Sequence, residues 1–316
     1  MRVQVVKPTV ISLFAGAGGS SLGYHLAGYE ERLAVEWDAN AVATFRLNFP
    51  TVPVFHGDIA TLTSEEAMRL ARVRPGELDV LDGSPPCQGF STAGNRRYSD
   101  PRNSLFIEYA RLLRDLQPRA FVMENVKGLV QGPMKQAYLR IIDTLRGCGY
   151  RARGQIMNAM FYDVPQSRQR VIVIGVRSDL GIEPSHPKPR SAPAGITRLD
   201  ERPKRFSPRR FGDKIVREGQ PVPTLTKMDR RFWDRRTEFG PLSYAAAASF
   251  PETFQFAGGH TQRLACIGNS VPPNLMRAIA EHVKVHALGF EPSAVIEPPA
   301  RPPPGWGRPE QRSGVE

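Results

Sequence analysis

A cysteine placed directly after two prolines is the residue of this 316-residue chain best suited to act as a nucleophile. The largely apolar run Leu78 to Leu81 stops at Asp82-Gly83-Ser84-Pro85-Pro86-Cys87-Gln88-Gly89-Phe90-Ser91. Val80 and Leu81 read as the end of a buried strand, and Pro85 and Pro86 fix φ and donate no amide hydrogen, so the chain must leave the sheet there. A free cysteine is more often a small buried hydrophobe. Neither Pro-Pro nor Gln-Gly suits a packed core, however, and open α/β sheets hold ligands beyond the carboxyl ends of their strands. Cys87 is therefore expected to face a substrate. Further on, Ala120-Phe121-Val122-Met123 reads as a strand ending in Glu124, a carboxyl group leaving an apolar run and so suited to donate a proton. Gln166-Ser167-Arg168-Gln169-Arg170 opens the strand Val171 to Gly175. Alternation sends Arg168 and Arg170 to one side, as candidates for holding a phosphate and a substrate carbonyl.

A second group of residues suits an adenosine ligand. Val10 to Phe14 reads as a buried strand, and Ala15-Gly16-Ala17-Gly18-Gly19-Ser20 as a tight turn into an amphipathic helix, whose start offers free amides. Ser21 stands where the dinucleotide fingerprint has its third glycine. The next strand, Leu33-Ala34-Val35, ends in Glu36-Trp37-Asp38, about 20 residues on, the spacing of a ribose-binding acid. Trp37 offers a flat face for adenine. A third strand at Val54-Phe55 delivers Asp58, to accept from an exocyclic amine, and the backbone amide of Ile59. No Walker lysine is present to neutralise phosphates, which favours S-adenosylmethionine over a nucleoside triphosphate.

The elements that must position these groups are those of an α/β protein with a doubly wound, Rossmann-like sheet. Helical spacing of apolar residues predicts helices over 104–116 and 134–145 that pack on it. Between Cys87 and the first of these, the polar stretch 92–102, with Arg96 and Arg97, reads as a lid. The length allows one large domain with an insert, or two domains. Cys87, Cys148 and Cys266 have no metal-ligand spacing and cannot all pair, so no metal is expected and a reducing compartment is. Without a membrane-length apolar run or a signal-peptide h-region, the reading is cytoplasmic, with no membrane partner. A net charge of +12, carried mostly by arginine, suits a polyanion.

In order along the chain stand Phe14-Ala15-Gly16-Ala17-Gly18-Gly19, Glu36-Trp37-Asp38, Gly57-Asp58-Ile59, Pro85-Pro86-Cys87-Gln88, Glu124-Asn125-Val126, Gln166 to Arg170, and Gly268-Asn269-Ser270-Val271-Pro272-Pro273. Together they resemble the cytosine C5 DNA methyltransferases of bacterial type. By that resemblance Phe14, Ala15, Gly16, Gly18, Gly19, Glu36, Trp37, Asp58, Ile59, Pro86, Asn269 and Ser270 would bind S-adenosylmethionine. Cys87, Glu124, Arg168 and Arg170 would be catalytic. Residues 1–179 and 238–290 would form the catalytic domain, its last helix, from Pro273, packing beside the first strand to complete the cofactor pocket. A short target-recognition region, 180–237, would lie between them, and a proline-rich tail, 291–316, is expected to be disordered. The chain departs from the family pattern at Pro241 to Pro251, where an Arg-Glu pair and a Leu-Gln-Gly-Phe-Pro-like stretch are usual.

The resemblance implies attack by the Cys87 thiolate on C6 of a cytosine flipped out of duplex DNA, with Glu124 acting at N3 and Arg170 at O2. Contacts to DNA are expected from Ser91, Arg96 and Arg97, and from two clusters that interleave arginine with aromatic residues: Arg209 and Arg210, then Arg230, Arg231, Arg235 and Arg236. The chain is expected to act as a monomer. Whether it has a cognate restriction endonuclease as a partner is left open. So are a tRNA cytosine methyltransferase and a catalytically idle DNA-binding homologue on the same scaffold.

Overall fold

Short aliphatic runs make most of the strands of one central sheet, several of them closed by a glycine or a charged residue. The structure, a computed structural model, describes residues 6–86, 101–189, 204–206, 214–216, 221–226 and 241–292, with side chains at 101–104, 204–206, 214–216 and 241–243 excepted. Its strands are β1 Thr9–Leu13, β2 Glu30–Glu36, β3 Val54–His56, β4 Val80–Gly83, β5 Ala120–Val126, β6 Tyr150–Asn158, β7 Gln166–Ser167 and β8 Gln169–Arg177. Three more, β9 Lys204–Phe206, β10 Lys214–Val216 and β11 Val222–Pro223, fall in the expected recognition region. Seven strands join in the order β3-β2-β1-β4-β5-β8-β6. β1 to β5 run parallel, whereas β8 is antiparallel to both β5 and β6. The order reverses between β1 and β4, the place where doubly wound sheets open a crevice for ligands.

Both sheet faces are covered, which is why the parallel strands are apolar throughout instead of alternating. On one face Ile11, Leu13, Leu81, Phe121 and Met123 pack with α3 Ser64–Ala71, α4 Pro101–Leu116 and α5 Lys135–Gly147. On the other, Val10, Val80, Val122 and Ile172 meet Tyr24 of α1 Gly19–Leu26 and Leu275, Ile279 and Val283 of α8 Pro273–His286. The expected packing of the last helix beside the first strand is thus observed. Its closeness depends on Gly23, where a Cβ would come within 2.6 Å of the Met276 Cβ and 2.7 Å of the Pro273 carbonyl.

The stretch that departs from the family pattern also folds inward. It forms α6 Pro241–Ala247, followed by Phe250, which packs with Phe45 and Phe49 of the α2 region (α2 is Ala39–Asn48) and with residues of α7 His260–Asn269. Edge strand β6 has no counterpart among the sequence expectations. It carries Arg151, Arg153, Gly154 and Gln155, so neither strict alternation nor an apolar run marks it.

Candidate active site

At the end of β1 the backbone turns sharply. Phe14, Gly16 and Gly18 all have positive φ, at 56°, 57° and 93°. For phenylalanine that is an uncommon, strained conformation of a kind concentrated at ligand sites. Gly19 opens α1 where a side chain would collide with the Val271 carbonyl, so this turn and the Asn269-Ser270-Val271 stretch share one wall. Asn269 is exposed there, while the buried Ser270 turns its hydroxyl inward to the Cys266 carbonyl at 2.6 Å. Ser21, at the position of the missing third glycine, donates to Glu31 at 2.8 Å.

Glu36 is pinned by backbone. Its Oε2 accepts from the Gly16 amide at 2.7 Å, and its Oε1 accepts from the amides of Trp37 and Asp38 at 2.9 and 2.8 Å. The glycine turn and the end of β2 are therefore one unit. Beside it Trp37 is 77% exposed, an unusual state for so large an apolar ring and one that leaves a face free for a ligand. Asp58 is exposed and caps the next turn through Ala60, whereas the Ile59 side chain is in the core and offers a ligand only its backbone.

The end expected to be catalytic lies two strands away. Pro85 is buried and Pro86 exposed, and the Asn125 amide donates to the Pro85 carbonyl at 2.9 Å, holding the Pro-Pro step against β5. Sequence reading left Asn125 without a role, though it directly follows Glu124. Glu124 pairs with Arg170, Oε1 to Nε at 2.9 Å, with both side chains largely buried. The apolar surroundings expected for Glu124 are thus replaced by a guanidinium. Antiparallel pairing of β5 with β8 brings the two together, since Val126 sits opposite Arg170 and Glu124 opposite Ile172.

Arg168 sits at the break between β7 and β8, where strict strand alternation no longer sets its direction, yet it stays near enough to Arg170 and Glu124 to feel both charges. Its guanidinium, 3% exposed, donates to the carbonyls of Leu225 at 2.9 Å and Gly268 at 3.1 Å. Burial, reinforced by the charge of Arg170 and opposed by Glu124, pushes it down to about 9. Gln166 accepts from the Leu225 amide at 3.1 Å, and Thr224 donates to the Ser167 carbonyl at 2.7 Å. The Gln-Ser-Arg run therefore knits residues 221–226 and the end of α7 to the catalytic sheet. Cys87, Ser91, Arg96, Arg97, Arg209, Arg210, Arg230, Arg231, Arg235 and Arg236 lie outside the described residues, as does the tail from residue 293. Among the described residues no helix is long and apolar enough to cross a membrane.

A family model for the C-5 cytosine-specific DNA methylases matches residues 8–202 and 204–285. The chain belongs to that family. Its enzyme class is accordingly DNA (cytosine-5) methyltransferase. Among relatives, Type II methyltransferase M1.HphI of Haemophilus parahaemolyticus is 33% identical over 330 residues, covering 89% of this chain and 88% of that protein. Type II methyltransferase M.AquIA of Picosynechococcus is 39% identical over 202 residues, 61% of this chain and 81% of the relative. A crystal structure of an E. coli prophage-encoded protein described as a DNA modification methyltransferase superposes with a TM-score of 0.71, at 24% identity, covering 89% of this chain and 99% of that one. At that identity the likeness speaks for the fold.

Proposed function

We propose that this methyltransferase uses S-adenosylmethionine to methylate C5 of a cytosine flipped out of duplex DNA, through a covalent bond between Cys87 and C6. The observation that carries the reading is the Glu124–Arg170 pair beside the Pro85 carbonyl held by Asn125. It sets an acid and a cation next to the loop that leads to Cys87.

The residues of the glycine turn fit the cofactor. Phe14, Gly16 and Gly18 turn the backbone at positive φ, the Glu36 carboxylate has lone-pair capacity left for a ribose hydroxyl, and Trp37 and Asp58 are open to solvent. When bound, S-adenosylmethionine supplies the methyl group on an electrophilic sulfonium. The residues of this chain prepare its acceptor. Cys87 as thiolate adds to C6, breaking the C5–C6 double bond, while Glu124 meets the charge that develops at N3 with a proton. Arg170, which pairs with Glu124, would hold the neighbouring O2. C5 thereby becomes nucleophilic, and after transfer a base takes the C5 proton, the electron pair re-forms C5–C6 and expels Cys87 as thiolate, and N3 returns its proton to Glu124.

The recognition region, 180–237, would grip DNA through its arginine clusters, with Arg168 anchoring its return at Leu225. Duplex DNA in which the target cytosine is replaced by 5-fluorocytosine tests the reading, because fluorine cannot leave as a cation. The expected result is a covalent adduct mapped to Cys87 by mass spectrometry. An adduct elsewhere, or none, would refute it.

A further inference from the structure

Directly below the Pro-Pro step lies an acid that this mechanism does not use. Asp82, on β4, is 3% exposed, and its register partners are Ser12 on β1 and Val122 on β5. It faces α1, where the Tyr24 hydroxyl donates to Oδ1 at 3.4 Å and the Ser20 hydroxyl lies nearby. Ser20 and Tyr24 belong to the helix that the glycine turn opens, and Asp82 stands five residues before Cys87. We propose that Asp82 is a positioning residue that ties helix α1 to strand β4, and so sets the cofactor-binding turn and the nucleophile relative to one another. The inference rests on the roles given above to the turn and to Cys87.

The tie works because the acid is neutral. Among the described residues no cation pairs with Asp82, and burial first, then the charges of Glu31 on β2 and Glu124 on β5, push its carboxyl up to about 8 against the hydroxyls of Ser20 and Tyr24. Tyr109 of α4 reaches the same strands from the opposite face, donating to the carbonyls of Leu81 and Val122. Arg170 on β8 is engaged by Glu124. Glu31 is itself pushed up to about 7 by burial, against the hydroxyls of Ser12 and Ser21. A neutral carboxyl both accepts and donates, whereas an ionised Asp82 would only accept, and would add a charge to a row that already holds Glu31 and Glu124.

The sign of the pH effect follows. Asp82 keeps in the fold a proton that the unfolded chain releases near pH 4, so its contribution to stability is full below about pH 4 and is lost progressively up to about pH 8. The test uses the full chain with Asp82→Asn, which keeps the shape without the charge, and Asp82→Leu, which removes the tie. In thermal melts the advantage of Asp82→Asn over wild type should grow between about pH 4 and 8 and level off above. In methyl transfer to duplex DNA, Asp82→Asn should match wild type within about threefold at pH 7. Above about pH 8 wild type should fall behind it by about tenfold per pH unit, as the neutral fraction falls. Asp82→Leu should lose at least about tenfold at pH 7; if it does not fold, the asparagine profiles decide alone. Identical pH dependence of wild type and Asp82→Asn, an Asp82→Asn variant with little activity at pH 7, or an Asp82→Leu variant as active as Asp82→Asn would each overturn the proposal. A wild type that transfers no methyl group at any pH would instead count against the function proposed above, and the melts would still judge the buried acid.

Discussion

The two ends of the ligand crevice hold their carboxylates in different ways. At the β2 end, Glu36 is fixed by three backbone amides, all within three residues of itself or in the glycine turn. At the β5 end, Glu124 is paired with the Arg170 guanidinium, which arrives on an antiparallel strand from 46 positions later in the chain. Backbone amides cannot change charge, so they suit a carboxylate that must remain an acceptor for a bound ligand. A side-chain partner can shift or be shared with a substrate, which suits a carboxyl group that must pass a proton. Under the function proposed above, the first end would hold and the second would carry the chemistry.

That contrast can be broken most severely at the second end. Cys87→Ser should reduce methyl transfer by on the order of 10⁴-fold or more, the scale of losing a nucleophile, while S-adenosylmethionine affinity stays as in wild type. Turnover within tenfold of wild type would remove the nucleophile from the scheme. Next, Arg170→Ala should cost about 3–5 kcal/mol in stability, because it leaves the largely buried Glu124 without its counter-charge. Urea denaturation checks this, and pairing the change with Glu124→Gln should recover much of the loss; no recovery would mean the two side chains do not act as a pair.

At the first end the expected effect is smaller. Glu36→Ala should weaken S-adenosylmethionine binding by about 1–3 kcal/mol, the cost of losing charged hydrogen bonds, and should leave the 5-fluorocytosine adduct at Cys87 obtainable at saturating cofactor. Calorimetry showing unchanged affinity would reduce Glu36 to a support for the turn. Smallest of all should be the effect of Arg209→Gln with Arg210→Gln, outside both ends. If these grip phosphates, the slope of log K against log salt falls by about 0.9 for each phosphate no longer neutralised, alike on cognate and scrambled duplexes. An unchanged slope and affinity would leave the cluster without a part in binding.

Much of the first end was legible because its interactions are local. The glycine turn, the acid about 20 residues on and the tryptophan beside it follow from strand ends and backbone conformation, which short-range sequence encodes. The second end was legible in its residue types but not in its pairing. Nothing local says that β8 enters antiparallel next to β5, or that the strand breaks at Arg168. Asn125 gains its role only when the Pro85 carbonyl comes within 2.9 Å.

By itself, then, the sequence determined which residues could bind and react, and that the strand ends would present them, because proline, glycine and apolar periodicity act over a few residues. Only the tertiary structure decided which of them meet. Gly23 matters because α8, some 250 residues later, presses its backbone against α1, and Arg168 became an interior brace because two carbonyls from distant segments converge on it. Asp82 holds its proton because α1 closes over β4 and removes water from a carboxyl group that, in the extended chain, would ionise like any other.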